Sequence, residues 1–400
     1  MEQKRHVWDK HERDWDGSFN FVLIIYIVIM LAFILVRMVA GFGWLSPSDP
    51  YNYAHMRAVD IGFGIVSQIL IMTAIPVAAM FFWRRRRVRH TGKGLDNSVK
   101  SVGASFGFDK PSMKVIGFAV ILGIIAFFFN IFVSALFNGI LSFAGFRNFS
   151  GGFEHWSGIG ALFALLTLVA VLPGFCEEVT HRGMLLRSFT PRLGVMRAIM
   201  LSSIMFGFMH LNIVQVFYAA ILGYIIALAT VATKSLWTGV IMHFLNNGIG
   251  IYLSLASRPE NNWPLGNLFD SISGIFNIFG IFVYVIVIWG GLYLMLWIIR
   301  MFAQDNYSKN KVAHIGAIIR ANPDIIKHND RILTIEELTI HADAALQKLG
   351  NWQKLKFYID PVHASGKKPA PLNRLESTLL CGVLFLGGII TLFTMVWGFL

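Results

Sequence analysis

Long apolar runs separated by short polar links dominate the chain. Several reach the roughly 18 residues needed to cross about 30 Å of hydrocarbon. About nine such runs begin near Phe21, Ile61, Val115, Gly158, Val195, Ile213, Leu236, Ile272 and Thr378. Lipid offers backbone groups no partners, so each run is predicted to be a helix that satisfies its own hydrogen bonds. The pattern predicts an all-α, polytopic transmembrane bundle of about 8–9 spans.

One stretch breaks the pattern. Residues 301–376 are polar and predict a small cytoplasmic helical insert. Inside it Thr334 and Glu337 have the spacing of a capping box, Gly350 is a stop signal, and Leu338, Ala342, Ala345 and Leu349 form an apolar stripe. His341 and His363 are expected to be solvated, and residues 365–371 to form a linker. The resulting organisation is a cytoplasmic N-terminal segment (1–19), two helices with a basic loop (20–114), a transmembrane core (115–300), the insert (301–376) and a last helix (377–400). The first run is expected to be a retained anchor, because its leader mixes charges and its core is too long for a cleaved signal.

Composition sharpens this picture. The chain is 56% hydrophobic and 14% charged, with a net charge of +12. The basic residues sit beside span ends, where they set topology and attract anionic headgroups, so no nucleic-acid partner is expected. Arg84 to Arg87, then Arg182 to Arg197, Lys234 and Arg300, each mark a cytoplasmic side and predict a cytoplasmic N-terminus. The two cysteines, Cys176 and Cys381, provide no disulfide framework.

Three polar clusters interrupt the apolar core, and ionisable groups in hydrocarbon are costly enough to mark function. They are Glu177-Glu178 with His181 and Arg182, Phe206 with His210, and His243 with Asn247. Adjacent glutamates on a helix point about 100° apart, so they cannot share a task. Glu178 can pair with Arg182 four residues on, which leaves Glu177 free as a general base or metal ligand. His243 and Asn247 project from one helix face; an imidazole suits zinc or a similar divalent metal, and an amide suits water or an oxyanion. His181 is expected to be interfacial, turned away from Glu177. Straight spans would put Glu177 near one end of its helix and His210 well along the next, so convergence requires tilting or breaking near Pro173, Pro191 or Gly194.

Residue types alone leave a hydrolase, a metal or proton transporter and a polar structural core open. The order Glu-Glu-x-x-x-Arg-Gly (Glu177 to Gly183), Phe-x-x-x-His (Phe206 to His210) and His-x-x-x-Asn (His243 to Asn247) resembles three motifs of one family. It is the CAAX-protease and bacteriocin-processing family of intramembrane endopeptidases, which includes the Abi proteins and type II CAAX prenyl endopeptidases. The resemblance covers roughly Gly158 to Leu255. It implies Glu177 as the catalytic carboxylate that activates water. His210 and His243 would be metal ligands or water-positioning groups, Asn247 would stabilise the oxyanion, and Glu178 and Arg182 would brace the site. A metal centre would comprise Glu177, His210 and His243, holding zinc or another divalent ion; a metal-free general-base route is equally compatible with these residues. The implied partners are a membrane-associated peptide or protein substrate and the lipid bilayer. A non-catalytic scaffold or immunity protein of the same fold is the alternative.

Overall fold

The computed structural model describes residues 15, 17–41, 53–91, 99–147, 155–261, 263–268, 281–321, 327–328, 331–332, 334–360 and 369–399. Helix follows helix in chain order: α1 (Phe19–Gly41), α2 (53–91), α3 (Val99–Phe106), α4 (Met113–Phe143), α5 (Gly158–Leu193), α6 (Val195–Phe208), α7 (Ile213–Thr233) and α8 (Leu236–Ala256). Beyond them come α9 (Ile281–Lys309), α10 (Lys311–Ala321), α11 (Ile335–Gln347), α12 (Asn351–Ile359) and α13 (Arg374–Phe399). A two-residue antiparallel ladder, Lys327–His328 with Arg331–Ile332, is a small non-helical addition to the insert.

Among the described residues, eight helices are long and apolar enough to cross a membrane. The run from Val195 is the exception. Its helix has 14 residues, about 21 Å at 1.5 Å per residue, which falls short of the hydrocarbon core. The best-buried span is α7, with 67% of its apolar window inside the bundle, against 11% for α9 and 17% for α13. Helices α4, α6, α8 and α9 pack around α7, and α13 touches it less.

The geometry of α5 and α6 answers the difficulty posed by straight spans. They meet at Gly194, whose φ of +82° is in the left-handed region that favours glycine. Glu177 lies 17 residues before Gly194 and His210 lies 16 after it. Antiparallel helices therefore bring them to nearly one level, about 24 to 26 Å from the turn. The length of α5, 36 residues, lets it run past the level of the site in both directions. Among the described residues, three stretches are π-helical rather than α-helical: Ile65–Ala74 in α2, and Leu166–Val171 and Val179–Leu186 in α5. Each contributes to the site below.

The insert is docked against the bundle. The Asp360 carboxylate, following α12, accepts from the first amide of α6, Val195 N, at 2.9 Å. Arg192 grips both Glu376 oxygens (2.7 and 2.5 Å) and donates to the carbonyls of Ala370 and Pro371. The expected linker is thus pinned where it is described; residues 365–368 and His363 lie outside the described residues. The Thr334–Glu337 capping box forms as expected. Gly350 differs: α11 ends at Gln347, and Gly350 opens α12. The buried stripe also differs, because Leu338, Ala342 and Leu346 keep four-residue spacing, whereas Ala345 faces outward.

Candidate active site

The two adjacent glutamates have separate partners. Glu178 is fully buried, and its Oε1 accepts from Arg182 Nη1 at 2.7 Å and from His243 Nδ1 at 3.0 Å. Arg182 also donates Nη2 to the carbonyl of Gly223 on α7 (2.9 Å) and lies over the Phe206 ring, 4.5 Å from its centroid. A buried arginine needs such compensation; the Glu178 pair lies within α5, and the other two contacts tie α5 to α7 and α6. The expected pairing of Glu178 with Arg182 is present. Glu177 is half-buried and turned toward α2, where Oε1 accepts from Gln68 Nε2 at 2.9 Å.

Gly239 makes the Glu178 position possible. A Cβ there would sit 2.5 Å from Glu178 Oε2 and 3.0 Å from Thr230 Oγ1. Helix α8 can therefore approach the carboxylate only without a side chain at this point.

Three imidazoles surround one ring. Phe206 meets His181, His210 and His243 edge-on, with centroids 5.0, 5.1 and 5.6 Å away. Each histidine has Nδ1 occupied: His181 by the Glu177 carbonyl (2.8 Å), His210 by the Phe206 carbonyl (3.1 Å), His243 by Glu178. Carbonyls and carboxylates only accept, so Nδ1 carries the proton in each and Nε2 is left as an acceptor in the neutral ring. Glu177 also acts electrostatically on His210.

His181 departs from expectation. It is not interfacial but fully buried, four residues from Glu177 and bonded to its backbone. Residues four apart share a helix face, and burial follows from α1 packing over that face. From α1, the single hydroxyl proton of Tyr26 faces two acceptors, His181 Nε2 (3.2 Å) and Met205 O (2.9 Å).

Asn247 lies one turn along α8 from His243, as the spacing predicts. Its Nδ2 donates to the Val169 carbonyl at 2.8 Å, and its Oδ1 accepts from Asn246 Nδ2 at 3.0 Å. Asn246 in turn accepts from Asn130 of α4 at 3.2 Å. This amide chain settles which end of Asn247 is the donor and leaves one of its N–H bonds unassigned.

The donor chemistry of Glu177, His210 and His243 suits a divalent metal, since each imidazole has Nδ1 held and Nε2 offered. Among the described residues, however, no group of three or more His, Cys, Asp or Glu side chains is gathered closely enough to hold an ion. A metal at these residues would require them to close further on one point.

Sequence reasoning missed Gln68, Tyr26, Asn130 and Asn246. Gln68 and Asn130 carried a signal, being uncharged polar residues inside otherwise apolar runs. Tyr26 carried none, because a tyrosine in a span reads as packing.

Residues 159–249 match the family model described as type II CAAX prenyl endopeptidase Rce1-like. The match contains all three motifs and ends two residues after Asn247. Comparison with curated proteins and with solved structures finds no match.

Proposed function

We propose, from the type II CAAX prenyl endopeptidase Rce1-like domain at residues 159–249, that this protein is an intramembrane endopeptidase driven by glutamate-activated water. At the family level the activity is CAAX-type membrane proteolysis. The substrate is a membrane-associated peptide or protein segment, and the N-terminus of the enzyme is cytoplasmic.

The division of labour between neighbouring carboxylates carries this reading. Glu178 is spent on Arg182 and His243 and serves to hold them. Glu177, half-buried with a single side-chain donor on Oε1, keeps Oε2 for a proton. A water oxygen attacks the scissile carbonyl carbon while its proton passes to Glu177. The carbonyl π electrons move to oxygen, and the remaining Asn247 N–H meets that oxyanion. As the C–N bond breaks, Glu177 returns the proton to the departing amine. His210 and His243 offer Nε2 acceptors that orient incoming water and substrate N–H groups. A bound divalent ion would polarise the carbonyl and the water, with Glu177, His210 and His243 as its ligands. The proposed steps are carried by the side chains themselves.

The test compares wild type with Glu177→Gln and His243→Ala in liposomes, using a panel of quenched peptides that includes a farnesylated one. Cleavage by wild type and its loss in both folded variants supports the proposal. Unchanged cleavage in Glu177→Gln overturns it. Loss of activity with a chelator and recovery with zinc would assign a metal.

A further inference from the structure

Gln68 lies on α2, outside the matched segment, yet it is the side chain that holds Glu177. It is 7% exposed and sits within the π-helical stretch Ile65–Ala74. Isolated π turns inside helices are often found at functional sites. The amide has two ends, and they fare differently. Nε2 donates to Glu177 Oε1, whereas Oε1 is buried with no hydrogen-bond partner among the described residues. An unsatisfied buried acceptor costs about 1–3 kcal/mol, so a retained one calls for an occupant. The two oxygens of interest, Gln68 Oε1 and the Glu177 carboxylate, are held together by the bond between the same side chains. The small molecule with two hydrogens to donate to such a pair of acceptors is water.

We infer that Gln68 is a catalytic residue that holds the attacking water together with Glu177. This rests on the general-base role proposed for Glu177. One water hydrogen points to Glu177 and the other to Gln68 Oε1, which aims the oxygen lone pair outward at the scissile carbonyl. As the C–O bond forms, the first hydrogen leaves as a proton to Glu177. The second stays on the new hydroxyl, still bonded to Gln68 Oε1. Meanwhile Gln68 Nε2 occupies Glu177 Oε1, so Oε2 is the oxygen left to receive the proton. The inference extends the working site beyond the matched domain to the second span.

Difference infrared spectroscopy of the full-length protein in D2O tests this without a substrate, alongside peptide kinetics. The variants are Gln68→Met, which keeps the length and removes both polar ends, and Glu177→Gln. A bound-water O–D stretch present in wild type should vanish in Glu177→Gln and also in Gln68→Met. On a peptide cleaved by wild type, Gln68→Met should lower kcat about 100-fold while KM stays within about twofold, the pattern expected for a group acting in the transition state. Melting in detergent checks that Gln68→Met is folded. A water band that persists in Gln68→Met, or kcat within threefold of wild type, overturns the inference while leaving Glu177 as base. If Glu177→Gln itself cleaves normally, the general-base reading fails instead.

Discussion

Glu178 Oε1 stands 3.0 Å from His243 Nδ1 and 2.7 Å from Arg182 Nη1, so one oxygen fastens α8 to two turns of α5. All three side chains are buried. Removing one member of a buried charged pair strands the other and costs about 3–5 kcal/mol. Glu178→Ala is therefore expected to lower stability by that amount in detergent, measured by chemical unfolding. Glu177→Gln, at a half-buried position with an amide for a partner, should stay within about 1 kcal/mol of wild type while losing cleavage. Equal destabilisation by the two substitutions would contradict the assigned division between structure and chemistry.

Gly239→Ala places a methyl group 2.5 Å from Glu178 Oε2. The carboxylate cannot retreat without lengthening its bonds to Arg182 and His243. Overpacking of this kind costs about 1–3 kcal/mol. Thermal melts should show the loss, and cleavage should fall with it because His243 is moved. An unchanged melting temperature would mean that the Glu178 carboxylate is free to shift.

Tyr26→Phe removes the hydroxyl shared by His181 Nε2 and Met205 O; Met205 O keeps the Met209 N–H, whereas the buried His181 Nε2 loses its hydroxyl contact. The expected destabilisation is about 1–3 kcal/mol, with the ring contact to His181 retained. Chemical unfolding of the variant measures it. Because Tyr26 lies on α1, a neutral result would show that the first helix does not brace the site.

Asp360→Ala takes the charged cap from Val195 N at the start of α6. Loss of a helix cap costs about 0.5–2 kcal/mol. Hydrogen exchange at the Val195 amide should accelerate by roughly 2- to 30-fold, since every 1.4 kcal/mol is tenfold. Arg192→Ala should loosen the same corner by releasing Glu376 and the Ala370 and Pro371 carbonyls. Exchange that remains at the wild-type rate in both variants would show that the insert rests on the bundle without holding α6.

Much of the architecture was legible because apolar runs of membrane length have only one way to satisfy their backbone. The Val195 run was read as a full span, but its helix stops at Phe208 and Asn212 caps the next one. The Glu178–Arg182 pair followed from four-residue spacing, as did the placement of His243 and Asn247 on one face. His181 obeyed the same spacing rule, and its burial came from α1, an element more than 100 residues away in sequence.

What the sequence by itself determined is a helical membrane bundle, the identity of the acid, imidazole and amide groups, and the separation of Glu177 from Glu178 on their helix. These are local properties, governed by hydropathy and by the fixed angle between successive side chains. Only the tertiary structure decided that Glu177 and His210 lie nearly level across Gly194, and that Phe206 gathers three imidazoles. It also decided that Gln68 and Tyr26 reach the site from helices outside the matched segment. Those relationships depend on where a helix bends, where a π-helical stretch turns a side chain, and which helix packs over which face. Such features arise from contacts between distant parts of the chain, and no local spacing encodes them.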